Sequence, residues 1–326
     1  MTQMRFDPIT NESVIIAAGR SRRPTDLCEK ETETDSITNC PFCPGNEDKT
    51  PPQIDALYRE GKWVTRTFAN KFPILAPGKT KCVIENELFC GINQSGYHNV
   101  IVEHPDHNIN FFKMNQSEMV DLLLTYKRCY KKLSKKQKIV YVLIFKNYQK
   151  KGGASLHHPH SQVIASPFIP PRIKRELVGF KTYKQDTGRC IFCDLIETEI
   201  NGDRQIFLSS SYLVVAPYAS RFPYETWILP RKHNAKFEEI LDNDLEELAG
   251  VILQVFNKLY RVLGDFPFNL YIHNGPVNST EYTDFHWHLE IAPRLNTMAG
   301  FEIGGGIIVN TVLPEMAAEI LAKEEI

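Results

Sequence analysis

Two short stretches carry residues suited to chemistry: His158-Pro159-His160-Ser161-Gln162 and His286-Trp287-His288-Leu289-Glu290. Both read His-x-His-x-(Gln/Glu), and each follows a CxxC pair, Cys40-Pro41-Phe42-Cys43 or Cys190-Ile191-Phe192-Cys193. Two thiolates from a tight turn and two imidazoles complete the tetrahedral shell of a structural zinc. The sets expected are Cys40, Cys43, His107 and His158, then Cys190, Cys193, His233 and His286. Four protein ligands leave no open position for water, so the metals, two Zn²⁺ per chain, would hold loops rather than activate a nucleophile. His104 competes with His107. The repeat favours His107, because Pro105-Asp106-His107-Asn108 resembles Arg231-Lys232-His233-Asn234.

Alternate residues of an extended segment share a side, so a metal-bound His158 would hold His160 in a defined direction. A neutral imidazole attacks phosphorus and divides one displacement into two. Gly152, Gly153, Ala154 and Ser155 precede it, small enough for backbone N–H groups and a hydroxyl to approach a phosphate. Gln162 can donate its amide to a phosphate oxygen. His288 occupies the equivalent place in the second copy, but Glu290 stands where Gln162 would, and a carboxylate repels phosphate. His160 is therefore the expected nucleophile and His288 a packed or sugar-contacting residue. His98 and His157 are read as exposed or hydrogen-bonded bystanders, and nothing identifies His273.

The repeat extends along the chain. Phe68-Ala69-Asn70-Lys71-Phe72-Pro73 is echoed by Tyr218-Ala219-Ser220-Arg221-Phe222-Pro223, and Cys40/Cys190 and Pro73/Pro223 are both 150 residues apart. His107 and His233 are 126 apart and His158 and His286 are 128 apart, so the first half holds about 24 extra residues. The Gly, Asn and Lys of 78–97 suit an exposed hairpin there. Each half reads as helix (117–138; 243–263), β-rich run (139–145; 268–272), loop, then His motif. The expected fold is α+β: two tandem histidine-triad-like modules, 1–170 and 171–326, each an antiparallel sheet with a packed helix. A linker is expected from the Pro-rich 166–171 to about Gly188.

The 326 residues are 42% hydrophobic, enough for a large core. No apolar run is long enough for a membrane span, and Met1 to Ile15 lacks the pattern of a secretory signal. A cytoplasmic protein is expected. The 38 basic and 39 acidic residues create no global field for nucleic acid or a membrane surface. Eight cysteines without a leader argue against a disulfide framework. Neither CxxC shows the strand-helix context of a redox pair, and Cys28, Cys82, Cys90 and Cys129 are given no role.

Taken together these residues resemble the galactose-1-phosphate uridylyltransferase family of the histidine-triad superfamily. The resemblance also covers Arg20-Ser21-Arg22-Arg23-Pro24, Phe145-Lys146-Asn147 and Gly300-Phe301-Glu302-Ile303-Gly304. Plant-type ADP-glucose phosphorylase, of the same fold, shares most of these motifs, including the Ser before the Gln. The resemblance implies ping-pong transfer of UMP from UDP-glucose to galactose 1-phosphate through uridylyl-His160. It also implies that Arg20 and Arg23 contact the diphosphate, Asn70 and Asn147 the nucleoside, and Ser155 and Gln162 the phosphates. A homodimer follows by the same analogy. Ser161 replaces a glycine common among the transferases and is expected to tune phosphate contacts or acceptor choice. Glu302 or Asn310 would contact sugar hydroxyls. The alternatives are an ADP-sugar phosphorylase or adenylyltransferase of the same fold, and a non-catalytic zinc-ribbon-like binding module.

Overall fold

A computed structural model describes residues 2–19, 39–79, 81–84, 88–277, 282 and 284–325. Arg20 and Arg23 lie outside the described residues. The strands are β1 (Gln3–Phe6), β2 (Ser13–Ile16), β3 (Gln53–Arg59), β4 (Lys62–Ala69), β5 (Lys81–Ile84), β6 (Cys90–Asn93) and β7 (Tyr97–Val102). After α1 (Gln116–Ser134) come β8 (Tyr141–Tyr148) and β9 (His160–Ser166), then α2 (Pro171–Thr187) and α3 (Ile191–Glu199). The second half continues with β10 (Gln205–Leu208), β11 (Tyr212–Val215), β12 (Thr226–Pro230), α4 (Asp242–Leu263), β13 (Phe268–His273) and β14 (His288–Pro293). The chain closes through α5 (Gly300–Gly305), β15 (Ile308–Asn310) and α6 (Pro314–Lys323).

The two halves share one sheet. Its order is β10-β11-β12-β14-β13-β8-β9-β7-β4-β3, which reads the same from either end once each strand is matched to its repeat. The halves join where β8 meets β13, with Asn147 opposite Asn269 and Phe145 opposite Tyr271. β5 and β6 form the hairpin expected within 78–97. A small sheet, β1-β2-β15, ties the N-terminal strands to C-terminal elements, and Arg5 bridges to Glu315 at 2.9 Å.

Period-two alternation gives the large sheet two different faces. On one, Ile101, Val163, Ile144, Leu270, Ile272, Leu289 and Ile291 form a core with α1 and α4. α1 starts at an Asn-x-x-Glu box: Asn115 accepts from the Glu118 N–H at 3.0 Å and Glu118 from the Asn115 N–H at 2.9 Å. It ends sooner than the sequence suggests, because Lys135 to Lys138 offer nothing apolar to bury and Lys138 takes a φ of 67°. On the opposite face, α2, α3, Trp227 and Phe285 cover the second half. Among the described residues, the Cys40–Cys43 turn packs on Phe68, Val100 and Val102 of the first half.

Most of the linker expected from the Pro-rich 166–171 to about Gly188 is instead helix α2. A proline sits in its first turn, Ile173, Leu177 and Phe180 are buried on one side, and Gly188 ends it at φ 75°. Lys174, Arg175, Lys181 and Lys184 occupy the outward side, while Arg172 turns inward to Glu290; the many basic residues disguised an amphipathic helix as a polar connection. Among the described residues no helix is long and apolar enough to cross a membrane.

Candidate active site and metal centres

Strand β9 presents His160 and Gln162 to the face that α1 does not cover. His160 is buried, with its Nδ1 2.8 Å from the His158 carbonyl oxygen. A carbonyl only accepts, so Nδ1 carries the proton and Nε2 keeps its lone pair. Burial holds the imidazole below its ordinary value, and neutral. Phe42, from between the first two cysteines, meets the His160 ring edge-on with centroids 5.3 Å apart.

Both expected tetrads assemble. His158 Nδ1 lies 3.6 Å from Cys40 Sγ and 3.5 Å from Cys43 Sγ, and His107 Nδ1 lies 3.4 Å from Cys43 Sγ. In the second set, His286 Nδ1 is 3.8 Å from both Cys190 and Cys193, and His233 Nδ1 is 3.6 Å from Cys193. Zinc bonds of about 2.3 Å to sulfur and about 2.05 Å to nitrogen place tetrahedral ligands roughly 3.6 Å apart. Both donor sets therefore fit a closed metal site. The outer nitrogens agree: His158 Nε2 donates to the His104 carbonyl at 2.9 Å and His286 Nε2 to that of Pro230 at 2.7 Å, turning each Nδ1 toward the thiols. His104 is not in the tetrad; its Nε2 meets Glu118 at 3.2 Å. The first set is wholly buried, whereas His233 of the second is exposed. Burial pushes His158 down to about 4 and raises the Cys43 thiol to about 11. Burial also raises Cys190, but bonds with His233 and His286 outweigh it and bring the thiol to about 5.

The place equivalent to His160 in the second copy is filled by the chain itself. His288 Nδ1 also donates to a carbonyl, that of His286 at 3.1 Å, but its Nε2 faces Glu290 at 3.3 Å. Burial alone would lower His288; Glu290 and Glu176 raise it instead. Its ring stacks on Phe192 with centroids 4.6 Å apart. Glu290 is fully buried and held by Arg172 at 3.3 Å and Arg221 at 2.5 Å. α2 thus brings the Arg172 guanidinium to the carboxylate that stands where the first copy has Gln162. Glu176 and His273, 2.9 Å apart, complete a third buried cluster with His288 and Glu290 that the sequence did not reveal. The two arginines already neutralise Glu290 there.

Other expected residues divide. Gln162, Asn147 and Asn70 are half-buried, and Ser155 is exposed in the loop before His158. Asn269, which the sequence did not single out, donates to Asn147 Oδ1 at 2.8 Å and to the Gly152 carbonyl at 2.6 Å. This fixes the Asn147 amide and the small-residue loop together. A side chain at Gly152 would bring its Cβ within 2.7 Å of the Phe268 carbonyl oxygen. Ser161 does not share the face of His160 and Gln162. Alternation turns it to the α1 face, where its hydroxyl donates to Glu103 and accepts from the Tyr126 hydroxyl at 2.5 Å. Glu103 in turn holds Lys146 at 2.6 Å, both ends fully buried. Glu302 accepts from the Ala299 N–H at 3.0 Å, capping α5. Asn310 is consumed by the Ser220 and Phe222 carbonyls at 3.0 and 3.2 Å. His98 is buried and hydrogen-bonded, not exposed.

The geometry agrees with comparisons against known proteins. Residues 1–170 match the model for the galactose-1-phosphate uridyl transferase N-terminal domain, and 176–324 that for its C-terminal domain. The ADP-glucose phosphorylase of Arabidopsis thaliana is 33% identical, over 98% of this chain and 92% of its own. The galactose-1-phosphate uridylyltransferase of Thermotoga maritima is 29% identical, over 100% of this chain and 99% of its own. A crystal structure of an Arabidopsis thaliana ADP-glucose phosphorylase with bound ADP-glucose superposes with a TM-score of 0.86, at 31% identity and covering all of both chains. The resemblance therefore extends over both halves of the sheet and not only over the motifs. This chain belongs to the galactose-1-phosphate uridyl transferase family, whose members here support a nucleotidyltransferase.

Proposed function

We propose that this chain moves a nucleotidyl group from a nucleoside diphosphate sugar to a phosphate acceptor through a covalent nucleotidyl-His160. The observation that carries this reading is the His160 hydrogen-bond pattern: Nδ1–H is tied to the His158 carbonyl, and Nε2 keeps its lone pair. Nε2 attacks the α-phosphorus, the bond to the bridging oxygen breaks, and sugar 1-phosphate leaves with the electron pair. The His158 carbonyl stabilises the charge gained by the ring. An acceptor phosphate oxygen then attacks the same phosphorus and the N–P bond breaks. Gln162 and Ser155 would contact the phosphates, Arg20 and Arg23 the diphosphate, and Asn70 and Asn147 the nucleoside. His288 is unsuited to this role because Glu290 occupies its Nε2 side. The tetrads would each hold a structural Zn²⁺, which supplies no chemistry to the reaction beyond fixing the loops around His158 and His286.

ADP-glucose as donor, with orthophosphate as acceptor, is the favoured pairing, supported by the 33% identity to the plant phosphorylase. UDP-glucose with galactose 1-phosphate is the second, supported by the similarity to the Thermotoga maritima transferase along the whole chain. Intact-mass spectrometry after mixing with each nucleotide sugar, without acceptor, separates them. An adenylyl adduct on His160 is expected with ADP-glucose; a uridylyl adduct only with UDP-glucose would favour the second pairing. No adduct with either, or an adduct that persists in His160→Ala, would overturn the mechanism.

A further inference from the structure

His98 lies on β7, opposite Ile164 of β9 and close to Gln162, and each of its ring nitrogens has a defined neighbour. The backbone N–H of Ile74 donates to Nδ1 at 3.1 Å. An amide N–H can only donate, so Nδ1 bears a lone pair and the ring proton sits on Nε2. Nε2 lies 2.8 Å from Gln162 Oε1, which it can reach only as a donor. Asn70 stands alongside, with Nδ2 3.2 Å from His98 Nε2. Its own Oδ1 accepts from the Phe72 N–H at 2.9 Å, so the Asn70 amide cannot turn to compete for that proton. Burial holds the His98 ring below its ordinary value, which preserves the single-proton form. A second ring proton would face the Ile74 N–H.

A glutamine amide has two faces of opposite sense. The NH₂ end stabilises a phosphate oxygen, whereas the carbonyl end repels it, and a half-turn about the last side-chain bond exchanges them. We infer that His98 is a positioning residue: by engaging Gln162 Oε1 it leaves the Gln162 NH₂ as the group offered to the transferring phosphate. The loop 70–79 takes part, because Ile74 selects the tautomer that makes His98 a donor. This inference rests on the nucleotidyl-transfer reading of His160 and on Gln162 as a phosphate contact.

The test is a double-mutant cycle on the rate of adduct formation, using the nucleotide sugar that loads the wild-type chain. Gln162→Ala removes one transition-state donor, which typically costs on the order of 10²–10³-fold in rate. His98→Phe keeps a buried ring but lets the amide turn. It should slow the step by roughly tenfold or more, with KM changed less than about threefold. The double variant should be no slower than Gln162→Ala alone, within about threefold. His98→Gln, whose NH₂ can donate to Gln162 Oε1, should recover most of the rate. Losses that multiply in the double variant, or an unimpaired His98→Phe, would overturn the inference, because a general structural role acts independently of Gln162. A Gln162→Ala chain that still loads His160 at the wild-type rate would remove the Gln162 role and this inference with it, while leaving the nucleophile in place.

Discussion

Replacing Lys146 by Met is expected to cost this fold far more than an ordinary surface lysine would. Lys146 is 1% exposed and its Nζ sits 2.6 Å from Glu103 Oε2. At an effective dielectric of about 20, two charges at that distance attract by roughly 6 kcal/mol. Desolvation costs several kcal/mol per ion, so the intact pair contributes about nothing net. Removing one partner is different, since among the described residues it leaves a buried carboxylate served by the Ser161 and Tyr126 hydroxyls alone. That loss is about 3–5 kcal/mol. At about 2.1 cal/mol/K per residue, unfolding 326 residues carries about 0.7 kcal/mol/K, so a loss of 4 kcal/mol lowers Tm by about 6 °C. The Glu103→Gln/Lys146→Met pair removes both charges and keeps the hydroxyl contacts, and should recover about half of that or more. Thermal unfolding followed by near-ultraviolet circular dichroism, with urea midpoints beside it, reads both quantities. A single variant that loses less than about 1 kcal/mol, or a double variant as unstable as the single, would refute the reasoning.

The remaining expectations concern metal, backbone and charge. Elemental analysis should find two zinc ions per chain, and a mild chelator should strip the second site first because His233 is exposed while the first tetrad is buried; simultaneous loss would contradict that order. Gly179→Ala should destabilise by about 1–3 kcal/mol despite the better helix propensity of alanine, because its Cβ would stand 1.8 Å from the Ile9 carbonyl oxygen. Gly250→Ala in α4 should instead stabilise by about 0.5–1 kcal/mol, because the nearest group to its Cβ, at 3.3 Å, is the exposed Gln116 side chain, which can shift while its Nε2 keeps the Glu246 carbonyl; urea midpoints that shift in the same direction would refute the contrast. Burial pushes Glu238 from 4.5 up to about 7, with Oε2 lacking a hydrogen-bond partner among the described residues. The unfolded chain therefore ionises first, and stability present below pH 4.5 is lost as pH rises through about 7. Glu238→Gln should gain on the wild type between pH 4 and pH 8, and a pH-independent difference in urea midpoint would contradict this.

The two Cys/His clusters were legible because ligand chemistry depends on residue type and spacing, and the duplication checked each choice. It preferred His107 to His104, and the structure brings His107 to Cys43 while His104 pairs with Glu118. The distinction between His160 and His288 was also visible, in Gln162 against Glu290. Its physical reason was only half visible, because Arg172 comes from a segment read as a linker. Ser161 was misplaced although the alternation that pairs His160 with Gln162 already turns Ser161 away. Glu302 and Asn310 were legible as polar residues, but their partners lie in backbone that the sequence does not bring into view.

What the sequence determined by itself was the chemistry available: two thiolate–imidazole sets, one histidine beside a glutamine, and helical and alternating periods that define two repeated units. These are local properties, set by side-chain type and by the geometry of short segments. Only the tertiary structure decided how the repeats meet, with β8 beside β13 in one sheet and Asn269 reaching Asn147. It also decided that α2 fills the second copy with Arg172 and Glu176. Strand register placed His98 against Gln162, and register follows from the burial of a whole face rather than from any one residue.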